Sequence, residues 1–175
     1  MALASMVPTA LHAARVGLLN EKSSMITSAR NNLAQRALTE FEADYMLWID
    51  SDMTLPPDLL QRLMAHDKDI CGATYCRRVP PYNLLGDELG EGAEHGLVEM
   101  RTMPGGCMLV KADVYRKLKW PFYFETYNVV HGERKIGSED FNFCAKAIKL
   151  GYRIWCDMDL TREVGHIGSQ CVQYA

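Results

Sequence analysis

The chain lacks an apolar run that could cross a bilayer, which takes roughly 20 consecutive apolar residues. Its first residues, MALASMVPT, lack the basic segment and the long apolar stretch of a signal peptide. A Pro-, Gly- or Ser-rich linker is also missing, so residues 1–175 predict one domain. Basic charge is not in excess, and the net charge of −3 gives no long-range attraction for nucleic acid or for an anionic membrane. We therefore expect a cytoplasmic protein without a membrane span.

Paired C-x-x-C cysteines are absent as well, although the chain has six cysteines. Metal-binding and redox cysteines usually occur in such pairs, whereas these are scattered and mostly lie within apolar segments. We expect reduced thiols in the core rather than disulfides or a zinc site. The six residues are Cys71, Cys76, Cys107, Cys144, Cys156 and Cys171.

The secondary-structure signals alternate between strand and helix. Residues 23–40 have the period of an amphipathic helix, with an apolar stripe of Ile26, Ala29, Leu33, Ala37 and Phe41. Strands are predicted at YMLWID, DICGATYC, CMLVK and YRIWCD, and further helices from Pro57, at ADVYRKL and at EDFNFCAKAIKLG. This alternation predicts an α/β fold with a mixed, mostly parallel sheet flanked by helices.

Residues 77–106 interrupt this pattern. The segment is acidic and rich in turn-forming residues, and only HGLVEMR within it resembles a strand. A long irregular segment in a compact domain is usually functional, so we expect an active-site loop or lid here.

Two aspartates follow the apolar strand YMLWID. Residues two apart on an extended strand face the same side, so Asp50 and Asp52 are expected to converge while Ser51 faces away. Ligands of open α/β sheets collect at the carboxyl ends of strands. Two carboxylates there suit Mg²⁺ or Mn²⁺ bound together with substrate phosphates. The alternative is that Ser51, Asp52 or Thr54 only caps the next helix, which leaves Asp50 unexplained.

Arg30 lies in the middle of the apolar stripe of the helix predicted over residues 23–40. An arginine that points inward requires an anion. A diphosphate would serve, and so would an ion pair with Asp50. The two interpretations are compatible, and the sequence leaves both open.

Two acidic residues, Glu139 and Asp140, fall in the first turn of the helix EDFNFCAKAIKLG, with Ser138 as the expected cap. The core face of this helix is expected to carry Phe141, Cys144, Ala145 and Ile148. Acids in a first turn stabilise a helix with or without a function. A carboxylate there would also serve as a general base for a hydroxyl substrate docked beside it.

His166, in EVGHIGS, is a weak signal by itself because a lone histidine is more often structural. It gains significance as a third ligand of a metal that Asp52 already holds, since imidazole binds transition metals well.

Taken in order, these segments resemble a glycosyltransferase of the GT-A fold, close to the small family-2 type of phages and bacteria. The resemblance spans residues 23–169 and rests on SARNNLAQRAL, YMLWIDSDMTLPPDLLQRL, DICGATYCRR, GGCMLVKADVY, SEDFNFCAKAIKLGYRIWCD and GHIGS. It implies a Rossmann-like GT-A sheet, a nucleoside-diphosphate sugar as donor (a UDP-sugar by expectation), Mn²⁺ or Mg²⁺, a hydroxyl acceptor and an inverting reaction. It also implies a phage-encoded protein that acts in the host cytoplasm.

The same resemblance implies a role for each site residue. The metal ligands would be Asp50, Asp52 and His166. The residues that bind the nucleotide sugar would be Arg30, Asp50, Ser51, Asp52, Gly105 and Gly106. Asp140 would deprotonate the acceptor, with Glu139 as the reserve base.

One feature departs from the family pattern. The family opens with a longer strand that helps to hold the nucleotide base, and MALASMVPT predicts a truncated first strand. The acceptor is open between a glycan and a hydroxymethylated DNA base, for which Arg77, Arg78 and Arg101 are candidate phosphate contacts. The acidic loop over residues 87–94 argues mildly against nucleic acid.

Two other functions compete. LWIDSDMTL matches the first motif of haloacid dehalogenase-like phosphatases, in which Asp50 would be the nucleophile and Asp52 the acid/base. Those enzymes also need an acidic pair at the end of another apolar strand, whereas Glu139 and Asp140 follow HGERKIG, for which no strand is predicted. The other alternative is a non-catalytic protein that binds nucleotide sugars or carbohydrate.

Overall fold

The computed structural model describes residues 15–90, 92–130, 133–168 and 171–174. In these ranges the helices are α1 Ile26–Thr39, α2 Leu59–Ala65, α3 Ala112–Lys117, α4 Glu139–Lys149 and α5 Met158–Thr161. The strands are β1 Tyr45–Ile49, β2 Met53–Thr54, β3 Ile70–Gly72, β4 Asp87–Glu88, β5 Leu97–Thr102, β6 Cys107–Lys111, β7 Thr126–Val130, β8 Glu133–Gly137, β9 Ile154–Asp157, β10 Gly165–Ile167 and β11 Cys171–Gln173. No helix in the described ranges is long and apolar enough to cross a membrane.

The main sheet has six strands in the order β1-β6-β3-β9-β5-β4. The predicted mixed α/β fold is confirmed, but the expectation of mostly parallel pairing was wrong. β1, β3 and β9 each follow a helix and run in one direction, whereas β5 and β6 follow irregular segments and run in the opposite direction. Among the described strands, only β3 and β9 pair in parallel. A long segment of chain connects them, as parallel neighbours require.

Two smaller sheets complete the described architecture. One has the order β11-β10-β2, and the other is the hairpin of β7 and β8. The hairpin corrects the prediction that HGERKIG contains no strand. Residues such as Lys135 and Ile136 are exposed, so the described side chains of the hairpin form no buried face. The sequence therefore has no alternating apolar pattern there.

Two further expectations concern the start of the chain and residues 77–106. The predicted truncated first strand, MALASMVPT, lies outside the described residues. The segment 77–106 is not a loop throughout, because β4 and β5 lie within it and belong to the main sheet. Its irregular parts within the described chain are the stretches before β4, between β4 and β5, and before β6.

The core lies on both faces of the main sheet. Met108 and Val110 of β6 pack in one apolar cluster with residues of α1, α3 and α4. Cys107 and Leu109, which alternate with them, pack in a second cluster with residues of α2 and α5. The sheet is therefore the middle of three layers.

The cysteines belong to this core. The prediction of reduced, buried thiols is confirmed for the five whose side chains are described, namely Cys71, Cys76, Cys107, Cys144 and Cys156. The side chain of Cys171 lies outside the described part.

Helix α1 buries a different stripe from the one its apolar period predicts. The buried residues are Arg30, Asn31, Ala34 and Ala37, while Ile26 and Phe41 are exposed. Two polar side chains enter the core because each finds partners there.

Asn31 fixes the segment that follows α3. Its Oδ1 accepts the backbone N–H groups of Phe122 at 2.8 Å and Tyr123 at 3.0 Å, and its Nδ2 donates to the Tyr123 carbonyl at 2.7 Å. Buried backbone groups need such partners, since there is no water to replace them. This single side chain therefore ties α1 to the segment that leads into β7.

We expect Asn31→Ala to lower the free energy of unfolding by about 2–3 kcal/mol, because two buried N–H groups lose their acceptor. Urea denaturation measures the change. The matched control is Asn32→Ala, whose side chain donates to exposed Glu21, and it should change stability by less than about 0.5 kcal/mol. Equal effects of the two substitutions would contradict the assignment.

Candidate functional site

A cavity of about 640 Å³ opens at the carboxyl end of β1, a size typical of small-ligand sites. We call it the Asp52 cavity. Six of the candidate site residues predicted from the sequence line it, namely Asp50, Ser51, Asp52, Arg78, Asp140 and His166. Residues from the first half of the chain thus meet residues from the last third around one space.

Asp50 directly follows β1 and is held by Arg30. Arg30 Nη2 donates to both carboxylate oxygens, at 3.0 and 3.3 Å, and the Asp50 backbone N–H donates to the Gly106 carbonyl at 3.1 Å. This bifurcated contact restrains the Asp50 carboxylate in the cavity wall.

Arg30 is buried behind this wall, with 4% of its surface exposed. Its Nη1 lies 3.4 Å from Glu139 Oε1, and its guanidinium lies 5.7 Å from the centre of the Tyr123 ring. Burial acts to lower the Arg30 pKa, but Asp50 and the other nearby acids outweigh it and raise that pKa above its usual range. The structure therefore shows the ion pair with Asp50, and Arg30 is not among the residues that line the Asp52 cavity.

Gly105 and Gly106 pack against this cluster. A Cβ at Gly105 would lie 1.8 Å from Arg30 Nη1, and a Cβ at Gly106 would lie 2.4 Å from Tyr75 Oη. The lack of a side chain therefore lets the backbone approach Arg30 and Tyr75. Neither glycine is among the residues that line the cavity, and their approach to a donor sugar stays a prediction.

Asp52 has partners different from those of Asp50. Its Oδ2 accepts from Arg78 Nη1 at 2.8 Å and lies 3.4 Å from His166 Nε2. The two aspartates thus line the same cavity, but their carboxylates have different partners and do not converge on one point. Residues 50–52 form a turn rather than an extended strand, so the two-residue alternation does not apply to them.

His166 is oriented from its other side. Its Nδ1 lies 2.9 Å from the Cys76 carbonyl, which can only accept, so Nδ1 carries a proton there. In the neutral ring Nε2 is then an acceptor that faces the Asp52 carboxylate. Two acceptors so close require a proton or a cation between them. This is the arrangement in which histidine ligands are held by a backbone carbonyl.

A metal ion would find few further protein ligands here. Within the described ranges, no three His, Cys, Asp or Glu side chains cluster closely enough to hold one by themselves. The remaining ligands of an ion at Asp52 and His166 would have to come from a substrate or from water.

Asp140 lies across the cavity at the start of α4. Its Oδ2 accepts the Gly105 N–H at 3.0 Å, and its Oδ1 accepts the Phe141 N–H at 2.8 Å and the Ser138 hydroxyl. The Ser138 side chain makes no cap to the helix backbone, contrary to expectation, because it is turned to this carboxylate. The carboxylate is thereby fixed in orientation while it still faces the cavity.

Glu139, the reserve candidate, is 7% exposed and is not in the cavity lining. Burial raises its pKa, the neighbouring Asp140 adds to this shift, and Arg30 opposes it. The structure places Glu139 as a buried partner of Arg30.

The three arginines proposed as DNA phosphate contacts do not lie together in the structure. Arg78 pairs with Asp52 inside the cavity, Arg77 is exposed in the loop before β4, and Arg101 is exposed on β5. β5 lies four strands along the sheet from β1.

Three cavity residues carried no sequence signal for a site. Ile26 and Phe141 were assigned to the apolar faces of their helices, but both line the cavity. Tyr75 lies in the wall with 4% exposure, accepts the Gly106 N–H at 3.0 Å and packs edge-on against His166 at 4.8 Å between ring centres. For Ile26 and Phe141, the only hint in the sequence was an apolar residue in the first turn of a helix near a strand end.

Comparison with known proteins identifies one family match. Anp1, a Golgi mannosyltransferase family, matches residues 12–84, which include Arg30, Asp50, Asp52 and Arg78 but not Asp140 or His166. This finding corrects the expected kinship with family-2 glycosyltransferases, for which no match was found. No curated protein matches the chain. At this coarse level the Anp1 match points to glycosyltransferase-type activity.

The fold also has a structural relative. The crystal structure of A197 from STIV superimposes with a TM-score of 0.63 at 14% sequence identity. The match covers 86% of this chain and 72% of that one. At this identity the similarity concerns the fold alone.

We expect Arg30→Met to lower the free energy of unfolding by about 3–5 kcal/mol, because Asp50 and Glu139 lose the buried cation between them. The control is Arg36→Met on the same helix, whose partner Glu40 is exposed and whose loss should be worth less than about 1 kcal/mol. Chemical denaturation of both variants tests this, and a small effect at Arg30 would refute the bridging role.

Proposed function

We propose that the chain is a metal-dependent glycosyltransferase that moves a sugar from a nucleoside-diphosphate sugar to a hydroxyl acceptor. One observation carries the proposal: Asp52, His166 and the oriented carboxylate of Asp140 line one ligand-sized cavity. The Anp1 match, in a mannosyltransferase family, supports the same reaction class.

The residues present fit a divalent cation at Asp52 and His166. The two facing acceptor atoms, 3.4 Å apart, and the carbonyl behind Nδ1 are the supporting features. A cation bound there with the donor would neutralise the charge that develops on the departing diphosphate.

Arg78 would supply a second positive charge to the same phosphates. In the structure its guanidinium is paired with Asp52, and half of its side chain is exposed, so it is free to exchange one anion for another. Its place in the Asp52 cavity favours a contact with the donor over a contact with a DNA backbone.

Asp140 would act as the base. The acceptor hydroxyl transfers its proton to this carboxylate while its oxygen forms a bond to the anomeric carbon, and the bond from that carbon to the diphosphate breaks. A single displacement of this kind inverts the anomeric centre. The Gly105, Phe141 and Ser138 donors would keep the carboxylate aimed at the hydroxyl.

The phosphatase alternative is weakened by the position of Asp50. Arg30 Nη2 donates to both Asp50 oxygens, and its positive charge lowers the nucleophilicity of this carboxylate. The acidic pair Glu139–Asp140 follows the separate β7–β8 hairpin and not a strand of the main sheet.

The donor is tested by a thermal-shift screen of nucleoside diphosphates and their sugars, with and without Mn²⁺. We expect the true donor to raise Tm by roughly 5–10 °C at about 100 times its Kd, since binding then adds about 2.7 kcal/mol to stability. Asp52→Asn should abolish the Mn²⁺-dependent part of the shift.

The matched control for that screen is Asp113→Asn, which removes an exposed carboxylate paired with Arg116 on α3 and should keep the full shift. A shift that is identical in the native protein and in Asp52→Asn would exclude Asp52 from the donor site.

We expect Asp140→Asn to slow sugar transfer by about 10²–10⁴-fold while the donor-induced Tm shift stays unchanged, because a general base acts on the acceptor. Release of the nucleoside diphosphate measures the rate. The comparison variant is Glu139→Gln; if this variant lost transfer and Asp140→Asn did not, the roles of the two acids would be reversed. Donor binding without transfer in the native protein would instead indicate a binding protein.

A further inference from the structure

A second cavity, of about 370 Å³, lies beside the N-terminal half of α1. We call it the Trp120 groove. Its aromatic residues are Trp120, Tyr123, Phe124 and Tyr127, and its polar residues are Thr27, Ser28, Asn31, Asn32 and Glu125. Neither the sequence motifs nor the proposed sugar transfer accounts for this groove.

Two of the four aromatic rings of the groove are exposed, whereas Tyr123 is buried. Trp120 is 68% exposed and Tyr127 is 74% exposed, which is unusual for side chains that bury large apolar areas when they can. Asn31 fixes the backbone of Phe122 and Tyr123, and the Tyr127 hydroxyl donates to Glu125 at 2.7 Å. The groove therefore presents preformed aromatic surfaces to solvent.

The groove and the Asp52 cavity lie on either side of a pair of neighbouring residues in the β7–β8 hairpin. Tyr127 of β7 lies directly opposite Ile136 of β8. Tyr127 lines the Trp120 groove and Ile136 lines the Asp52 cavity. Ile26 and Thr27, which are adjacent on α1, are divided between the two spaces in the same way. An extended ligand could cross this hairpin from one space to the other.

The chemistry of the lining selects the ligand. Sugar rings have an apolar face of C–H groups, which packs on the electron-rich face of an aromatic ring, and a rim of hydroxyls, which bond to amides and carboxylates. Single-stranded nucleic acid also stacks on aromatic rings but needs a positive groove for its backbone. Among the described lining residues there is no Lys or Arg, and Glu125 is present. A neutral carbohydrate fits this lining.

We propose that the Trp120 groove binds the acceptor as a glycan, with one sugar ring stacked on Trp120 and the chain directed over the hairpin toward Asp140. The role of acceptor rests on the glycosyltransferase activity proposed above. Carbohydrate binding by the groove does not.

The test is saturation-transfer NMR with three neutral trisaccharides, namely mannotriose, cellotriose and chitotriose, together with the oligonucleotide (dT)₁₀. We expect at least one trisaccharide to bind the native protein and Trp120→Ala to weaken this binding about tenfold or more, since a stacked ring is lost. Trp120→Phe, which keeps an aromatic face, should retain most of the affinity. Leu89→Ala, an exposed apolar residue after β4 at the far edge of the sheet, should bind like the native protein.

The outcomes separate this proposal from the donor assignment. Failure of all three trisaccharides to bind overturns it, as does equal binding by Trp120→Ala, or binding of (dT)₁₀ alone that depends on Trp120. The donor screen is read independently in the same variants. Trisaccharide binding that depends on Trp120, without any nucleotide-induced shift, would support the groove and reject the transferase.

Discussion

The candidate site depends on one buried ion cluster. Arg30 reaches from α1 to Asp50 at the end of β1 and to Glu139 at the start of α4. A charge at 4% exposure is tolerated only with such partners, so the three elements are fixed relative to one another by the need to neutralise it. Gly105 brings the backbone against the same guanidinium, and its N–H donates to Asp140, while Gly106 packs against Tyr75 and Asp50.

Asp52, Arg78 and His166 form a second group of charges, which differs from the Arg30 cluster in how easily its partners can change. Arg30 and Glu139 are buried and only Asp50 of that cluster reaches the cavity, whereas Asp52 shares one oxygen between His166 and the exposed Arg78. A buried pair resists exchange, but an exposed pair is weak and is easily replaced by stronger ligands. The cavity thus combines a rigid back wall with a front wall whose partners can change when a phosphate or a cation arrives.

Much of the fold and of the candidate site was predictable from local sequence. The rest was not predictable, and the reason is physical. The apolar period of residues 23–40 identified α1, and the strand-then-acid pattern placed Asp50 and Asp52 at a sheet edge. Local patterns could not assign partners, so Arg78 was taken for a nucleic-acid contact and Asn31 was overlooked. Nor could they show that β6 lies antiparallel between β1 and β3, because strand pairing is decided by tertiary contacts. Ile26 and Phe141 were assigned to the core because a cavity wall and a core face have the same apolar period.

The pairing of β1 with β6 has a consequence for how the molecule assembles. Four strands and one helix separate these neighbours along the chain. Bringing the ends of so long a segment together costs conformational entropy that local contacts do not offset. Folds dominated by such distant pairings form slowly. During synthesis, the edge of the sheet that carries Asp50 has no partner until residues 107–111 have emerged from the ribosome, and Glu139 follows later still. The candidate site is consequently a late product of folding, completed only after Asp140 and His166 have been added to the chain.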